Sequence, residues 1–188
     1  LPMKVHSLAS AQILSPAEDF KTSQRQIPLN VTFPTGDWNE TIQIYYYING
    51  KLNQTSIANT TLNASDGVYI LNVSLIYGAN SSKNSTVNFT IDTKSPKVYS
   101  FNGNVLNNAN ISQTQLINVT ASDDETGISG IVFGIGNKSL AARNEDSWWV
   151  AELYAKNFAE GFYNITATAE DFAANSGIDH IVISEILF

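Results

Sequence analysis

The chain has 188 residues, of which 43% are apolar and only 14% are charged, and its formal net charge is −7. Ten Lys and Arg residues are too few for the clustered basic surface that phosphate binding needs, which argues against nucleic acid as a partner. No cysteine is present, so disulfides and thiolate metal sites are excluded.

The first element in chain order is a tail, residues 1–10. Its apolar residues are Leu1, Met3, Val5 and Leu8, and the first three alternate with other residues. Alternation predicts a strand. Because residues 11–15 already supply a candidate first strand for a domain, we expect the tail to be a strand that pairs outside its own half of the chain.

Alternating apolar residues predict half-buried strands through the rest of the chain. The alternation is clear at residues 27–33, 87–91 and 163–169, and the apolar segments 42–50, 67–74, 116–121 and 128–137 are also expected to be strands. The nearest approach to a helical pattern is at residues 147–159, where Trp148, Val150, Leu153 and Tyr154 fit strands equally well, and we favour strands there.

An internal repeat predicts the domain organisation. Three segments recur in the same order about 90 residues apart: 27–33 with 116–121, 42–50 with 128–137, and 67–74 with 161–166. Both members of the last pair begin Gly-x-Tyr, with Tyr69 and Tyr163 in corresponding places. We therefore expect a tail at 1–10 and domains at 11–95 and 96–188, with a short polar linker at 93–95 before Pro96.

Two domains of this size and strand order predict an all-β fold, with two tandem immunoglobulin-like β-sandwiches and an N-terminal extended strand. Residues 12–16, 88–96, 127–128 and 169–175 resemble bacterial and archaeal immunoglobulin-like surface repeats. The resemblance covers almost the whole chain and implies the fold more than any function. The first domain departs from it, since residues 75–80 stand where the second has the acidic run at Asp171.

Glycosylation motifs are the strongest functional signal. Thirteen asparagines begin the motif Asn-x-Ser/Thr: Asn30, Asn39, Asn53, Asn59, Asn63, Asn72, Asn80, Asn84, Asn88, Asn110, Asn118, Asn137 and Asn164. Random placement of these residue types would give roughly 4. Five of them alternate with apolar residues on strands and are expected to face solvent: Asn30, Asn72, Asn88, Asn118 and Asn164. The alternative is an Asn- and Thr-rich β-protein that accumulates such motifs by composition alone.

N-linked glycans are attached outside the membrane, so the same motifs predict an extracellular protein. A chain that begins at Leu1 and lacks any apolar run of about 20 residues is expected to be a mature chain without its signal peptide. It ends in a strand-like segment, residues 181–188, and we expect no C-terminal membrane anchor. Such a density of glycosylation motifs without cysteine resembles archaeal envelope proteins.

The tail, the paired domains and the glycosylation motifs together resemble archaeal thread-type pilus subunits. This resemblance implies a homopolymer with an adhesion or biofilm role, in which Leu1, Met3, Val5 and Leu8 form a donor strand that enters a neighbouring subunit. A head-to-tail contact of this kind propagates into a filament, and we expect the second domain to accept the tail. The alternatives are a tail that extends its own first strand or frays, a monomeric surface-layer or stalk module, and a carbohydrate-binding adhesin domain.

Enzymatic chemistry is not predicted, and neither is a cofactor. His6 and His180 have no neighbouring catalytic motif, and Gly134 and Gly136 have no following helix or Lys-Ser/Thr as a phosphate loop would. Trp148 and Trp149 are expected on opposite faces of one strand, with one in the core. An exposed aromatic residue, such as Trp38 in a loop, is the basis of the sugar-binding alternative.

Oxygen-rich loops are expected at one end of the second sandwich. They contain Asp123, Asp124, Glu125, Asp171 and Asn175. Such side chains can bind calcium, but the spacing does not match an EF-hand loop. We favour solvated loops in which these residues supply turn chemistry.

Overall fold

The computed structural model of the protein describes residues 10–33, 42–77, 80–102 and 110–186. These residues form strands almost throughout, with one short 3₁₀ helix at Ala155–Asn157. The chain divides into two compact units, Leu1–Thr93 (unit 1) and Lys94–Phe188 (unit 2). The predicted all-β fold is confirmed, whereas the donor-strand residues Leu1, Met3, Val5 and Leu8 lie outside the described residues.

The described strands of unit 1 form two sheets. They are β1 (Gln12–Ser15), β2 (Phe20–Thr22), β3 (Gln26–Thr32), β4 (Gln43–Ile48), β5 (Lys51–Ser56), β6 (Thr60–Asn63), β7 (Gly67–Tyr77), β8 (Asn80–Ser81) and β9 (Ser85–Ile91). One sheet has the order β1-β3-β6, and the other has the order β2-β9-β7-β4-β5, with β8 paired to β7. All ladders are antiparallel except β2 with β9, which is parallel.

The core of unit 1 follows from the alternation along its strands. In β3, Ile27, Leu29 and Val31 are buried while their neighbours face outward. They pack against the inward residues of the second sheet, which are Ile44, Tyr46, Leu71, Val73, Leu75, Phe89 and Ile91. Burying each large side chain contributes about 1.5 to 3 kcal/mol before chain ordering is counted, so the period-two pattern sets which face is internal.

Unit 2 is a second sandwich of two four-stranded sheets. Its strands are β10 (Lys97–Asn102), β11 (Thr114–Ser122), β12 (Ile128–Ile135), β13 (Lys138–Ala141), β14 (Arg143–Glu145), β15 (Trp148–Tyr154), β16 (Gly161–Asp171) and β17 (Ser176–Ile186). The sheet orders are β10-β11-β15-β14 and β13-β12-β16-β17. Their facing residues include Ile117, Val119, Leu153, Ile131, Phe133, Ile165 and Ala167.

The repeat seen in the sequence is a repeat of strand positions. β3 and β11 are interior strands of their sheets, and β4 pairs with β7 as β12 pairs with β16. The β4–β5 turn consists of Asn49 and Gly50, both with positive φ (50° and 77°), as a two-residue hairpin turn requires. Trp148–Tyr154 is a strand, as favoured above, and the 3₁₀ turn follows it.

The two Gly-x-Tyr motifs form matching corners. The Tyr69 hydroxyl donates to the carbonyl of Ser65 (2.8 Å), and the Tyr163 hydroxyl donates to the carbonyl of Ala159 (3.0 Å). Gly67 and Gly161, two residues before each tyrosine, both have φ of 146°, which other residues rarely adopt. This is the tyrosine corner found at the start of the corresponding strand in immunoglobulin-like sandwiches.

Candidate glycosylation sites and loop carboxylates

The glycosylation motifs are distributed over both units. Asn39 lies outside the described residues, and so does the side chain of Asn80. The remaining eleven asparagines all avoid the cores. Eight are exposed: Asn53, Asn59, Asn63, Asn84, Asn88, Asn110, Asn137 and Asn164. Three are half-buried: Asn30, Asn72 and Asn118. Eight candidate acceptor residues are thus exposed, in turns and on outward strand faces.

Two of these asparagines on the large sheet of unit 1 have amide nitrogens already held by neighbours. Asn72 Nδ2 donates to Thr86 Oγ1 at 2.8 Å. Asn88 Nδ2 donates to Glu18 Oε1 at 2.8 Å, and the Asn88 backbone N–H donates to Glu18 Oε2 at 2.9 Å. An amide nitrogen that carries a sugar keeps one N–H, so each bond is compatible with glycosylation.

Asn118 does not simply face solvent as the alternation predicts. It does lie on the outward face of β11, because Ile117 and Val119 on either side are fully buried. Its cross-strand neighbour on that face, Val150, is nevertheless only 5% exposed. The Asn118 Oδ1 atom is buried and has no hydrogen-bond partner among the described residues. Alternation along a strand shows which side chains face away from the core, but it does not show whether other residues bury that outward face.

The structure brings two of the loop carboxylates together. One oxygen of Asp123 and one of Asp171 lie within 4.8 Å of each other. Asp123 Oδ1 accepts backbone N–H bonds from Thr126 (2.7 Å), Gly127 (2.8 Å) and Glu125 (3.1 Å). Partial burial acts to raise the pKa of Asp123, but these bonds to the charged form outweigh it and the pKa is lowered.

Asp171 holds the neighbouring hairpin in the same way. Its Oδ1 accepts the backbone N–H groups of Ala173 (2.8 Å) and Asn175 (2.9 Å), and its Oδ2 accepts Asn175 Nδ2 (2.8 Å). Asp124 and Glu125 are exposed. The two inner carboxylates therefore brace loop backbone, which is the turn chemistry favoured from the sequence.

The remaining residues singled out in the sequence have ordinary environments where they are described. Trp149 packs against the core of unit 2, and Trp148 lies half-buried on the opposite face of β15. His6, Trp38 and the side chain of His180 lie outside the described residues. Across the described part of the chain, no helix has the length and apolar character needed to cross a membrane.

β9 and β17 are the last strands of their units, and they differ in how their outer edges are paired. In unit 1, β2 runs parallel to β9 and pairs Phe20–Thr22 with Phe89–Ile91. In unit 2, β17 is the terminal strand of its sheet, and a single parallel bridge joins Ile111 to Ile186 at its end. Within the described residues, the antiparallel ladder of β17 is with β16, and Gly177 at the start of β17 also lies against the Pro96 carbonyl. Sequence reasoning missed β2, because a three-residue strand shows no alternation pattern.

Comparison with known proteins addresses the fold. No protein-family model matches the sequence, and no curated protein matches it. Among solved structures, the fibronectin(III)-like modules of CbhA from Clostridium thermocellum match at 19% identity over 93% of both chains, with a TM-score of 0.56. The FN1–FN3 domains of chicken CNTN1 match at 13% identity over 95% of this chain and 66% of that one (TM-score 0.47).

The immunoglobulin domains 1–4 of Sidekick-1 match at 11% identity over 96% of this chain and half of that one, with a TM-score of 0.47. At such low identities similarity bears on architecture and not on activity. The match to the CbhA modules, over nearly the full length of both chains, carries the conclusion. The chain has the immunoglobulin- and fibronectin III-like β-sandwich fold.

Proposed function

We propose that the protein is an N-glycosylated structural subunit of an extracellular archaeal filament, and not an enzyme. The observation that carries this proposal is the placement of the glycosylation motifs: every described acceptor asparagine avoids the two cores, and eight are exposed. The chain has thirteen motifs, whereas chance placement would give roughly 4. If the asparagines were not glycosylated, the protein would have accumulated many unused acceptor motifs on its surface.

Glycans at these positions would serve a sandwich that has few charges. Apolar side chains are exposed on the outward sheet faces, among them Val68 (65% exposed) and Ile70 (44%) in unit 1. Only 14% of the residues are charged, so charge repulsion protects these faces poorly. Hydrated, bulky sugars on the same faces, as at Asn72 and Asn88, would prevent unspecific association of sheets.

Filament growth is proposed to use the tail as a donor strand. Alternation in residues 1–5 would place Leu1, Met3 and Val5 on one side of an added strand, as strand addition requires. We place the acceptor at the outer edge of β17 beyond its contact with Pro96, because the same chain covers the corresponding edge of β9 with a parallel strand, β2. Head-to-tail contacts of this kind do not close and so form a fibre.

The experiment that tests the function compares full-length protein with protein that lacks residues 1–9. Electron microscopy of material from the producing cells is expected to show filaments that depend on the tail. Mass spectrometry of the same material is expected to find glycans on the exposed asparagines. Filaments formed equally well without the tail would refute donor-strand assembly, and uniformly unmodified asparagines would refute the glycoprotein.

The acceptor edge is tested by engineered disulfides, which the natural absence of cysteine makes unambiguous. A cysteine at Val5 is combined with single cysteines along residues 178–185 of β17. The matched control places the second cysteine in β5, an edge strand of the larger sheet of unit 1. Oxidation is expected to give a series of covalent oligomers when the second cysteine is in β17, and none when it is in β5. Covalent oligomers formed through the β5 cysteine instead would show that the acceptor edge lies in unit 1.

A second candidate function is sugar binding by unit 2. The Tyr99 side chain is 50% exposed, and its hydroxyl lies 2.9 Å from Ser122 Oγ. It lines a cavity of about 360 Å³ together with Lys94, Lys97 and Asp124. An aromatic face beside charged and hydroxyl groups suits a pyranose ring. Glycan-array binding that is lost in Tyr99→Ala would favour this adhesin function.

A further inference from the structure

Asn72 occupies a distinctive position on the large sheet of unit 1. It lies on the outward face of β7, because Leu71 and Val73 beside it are fully buried. In the ladders it stands directly opposite Tyr47 of β4 on one side and Thr86 of β9 on the other. Directly opposed residues in an antiparallel pair have Cβ atoms about 4.5–5.5 Å apart. An aromatic ring and a hydroxyl group therefore flank this asparagine.

The hydrogen bond to Thr86 sets the direction of the amide nitrogen. Asn72 Nδ2 donates to Thr86 Oγ1 at 2.8 Å. The nitrogen is planar, with two N–H bonds about 120° apart, and N-glycosylation replaces one hydrogen and leaves the other. If the remaining hydrogen keeps the bond to Thr86 on β9, the sugar leaves on the side of β4. Tyr47 stands on that side.

The aromatic surface on β4 is larger than one ring. Tyr45 and Tyr47 both lie on the outward face, since Ile44 and Tyr46 point into the core. Their ring centroids are 6.5 Å apart with an interplanar angle of 25°. Both side chains are half-buried, so part of each ring is accessible. Aromatic faces carry negative charge density and attract the polarised C–H groups of a pyranose ring.

We propose that the first sugar of an N-linked glycan on Asn72 packs against Tyr47 and that the glycan continues over Tyr45. This inference rests on the proposed glycosylation and specifies a partner for one sheet face: the protein's own sugar covers the Tyr45–Tyr47 pair. The glycan at Asn72 is then an ordered part of the sheet surface. That face is consequently not available for contacts between subunits.

Asn88 supplies an internal comparison on the same sheet. Asn88 also begins a glycosylation motif and lies on an outward strand face. Its Nδ2 donates a hydrogen bond to Glu18 Oε1 at 2.8 Å. Its opposite residue on β7 is Ile70, which is aliphatic. A glycan at Asn88 is therefore expected to move more freely than the one at Asn72.

The test uses glycoprotein from the producing cells, with isotope-labelled sugars for NMR. The first sugar on Asn72 is expected to show upfield-shifted proton resonances and nuclear Overhauser contacts to the Tyr47 ring. Both signals should be lost in Tyr47→Thr, a substitution that keeps a strand-forming residue. In the matched control Ile70→Thr, opposite Asn88, the Asn72 signals should persist. Unshifted sugar resonances without ring contacts in the unmutated protein would overturn the proposal.

A second measurement separates this contact from simple stabilisation by Tyr47. Tyr47→Thr is compared in glycosylated protein and in protein from a host that attaches no glycans. The melting temperature is expected to fall by about 2–4 °C more in the glycosylated pair, and an equal fall in both pairs would contradict the contact. An unmodified Asn72 peptide would also overturn it, whereas missing filaments with an intact sugar–ring contact would refute only the assembly function.

Discussion

Tyr69 and Tyr163 each anchor the loop that precedes a central core strand, through one hydroxyl bonded to a backbone carbonyl four residues earlier. Tyr69→Phe and Tyr163→Phe remove that hydroxyl and leave the carbonyl without its donor. Each substitution is expected to cost about 1 kcal/mol. For a unit of this size the melting temperature should fall by about 4–8 °C, as measured by calorimetry.

Tyr45→Phe is the matched control for the corner. Its hydroxyl lies 3.4 Å from Gln43 Oε1 on the outward face, a weaker bond between exposed groups. Its removal should change the melting temperature little. If Tyr69→Phe proved as mild as Tyr45→Phe, the corner hydrogen bond would contribute no net stability and the Gly-x-Tyr motif would need another explanation.

Asp123 makes the stability of unit 2 depend on pH. Its pKa is lowered in the folded state from the ordinary value of 3.8, because backbone N–H bonds favour the charged form more than partial burial disfavours it. A lowered folded-state pKa stabilises the fold above pH 3.8, and this contribution is lost as pH falls through the folded-state pKa. Asp123→Asn should therefore lower stability at pH 7, by about 1 kcal/mol, and progressively less below pH 3.8.

The neighbouring Asp124 provides the comparison. It is exposed, and Asp124→Asn removes an equal charge from the same loop. Denaturant unfolding of the two variants at pH 7 and at low pH measures the difference. A constant deficit for Asp123→Asn across this pH range would show that the loop depends on shape and not on the carboxylate charge.

At the scale of elements, the sequence predicts the strands that build the cores and misses short edge strands such as β2 and β14. β3, β7, β12 and β16 alternate buried and outward residues over seven or more positions, so their pattern is visible without a structure. β14 has three exposed residues and therefore carries no burial pattern to detect. Its position depends on pairing with β15, which only the folded chain supplies.

The candidate site was predictable to a similar extent. Motif spacing gives the proposed acceptor asparagines, and alternation predicts that those on strands lie on the face opposite to the core. It does not predict that Val150 is buried beside Asn118, or that Glu18 holds Asn88 from 70 residues away along the chain. These are contacts between distant segments, and no local pattern encodes them.

The contact between the start of β10 and the start of β17 gives a prediction about strand packing. A Cβ atom added at Gly177 would lie 1.8 Å from the carbonyl oxygen of Pro96, so the backbones approach too closely for any side chain. Gly177→Ala should lower the free energy of unfolding of unit 2 by about 1–3 kcal/mol. Gly130→Ala in β12, where a Cβ would meet no atom within 4 Å, should stay within about 0.5 kcal/mol of the natural protein. Urea unfolding of both variants measures this, and equal stability would contradict the close approach.

At the scale of the whole molecule, each unit has its own hydrophobic core and its own tyrosine corner. Because the buried clusters are separate, we propose that the boundary near residue 94 divides two independently folding domains. The corner variants then serve as unit-specific probes. Calorimetry of the full chain should resolve two transitions, with Tyr69→Phe lowering one and Tyr163→Phe lowering only the other. A fragment of residues 94–188 should melt with the transition that Tyr163→Phe shifts. If either substitution lowered both transition temperatures equally, the chain would unfold as one cooperative unit. That result would refute independent folding of the two domains.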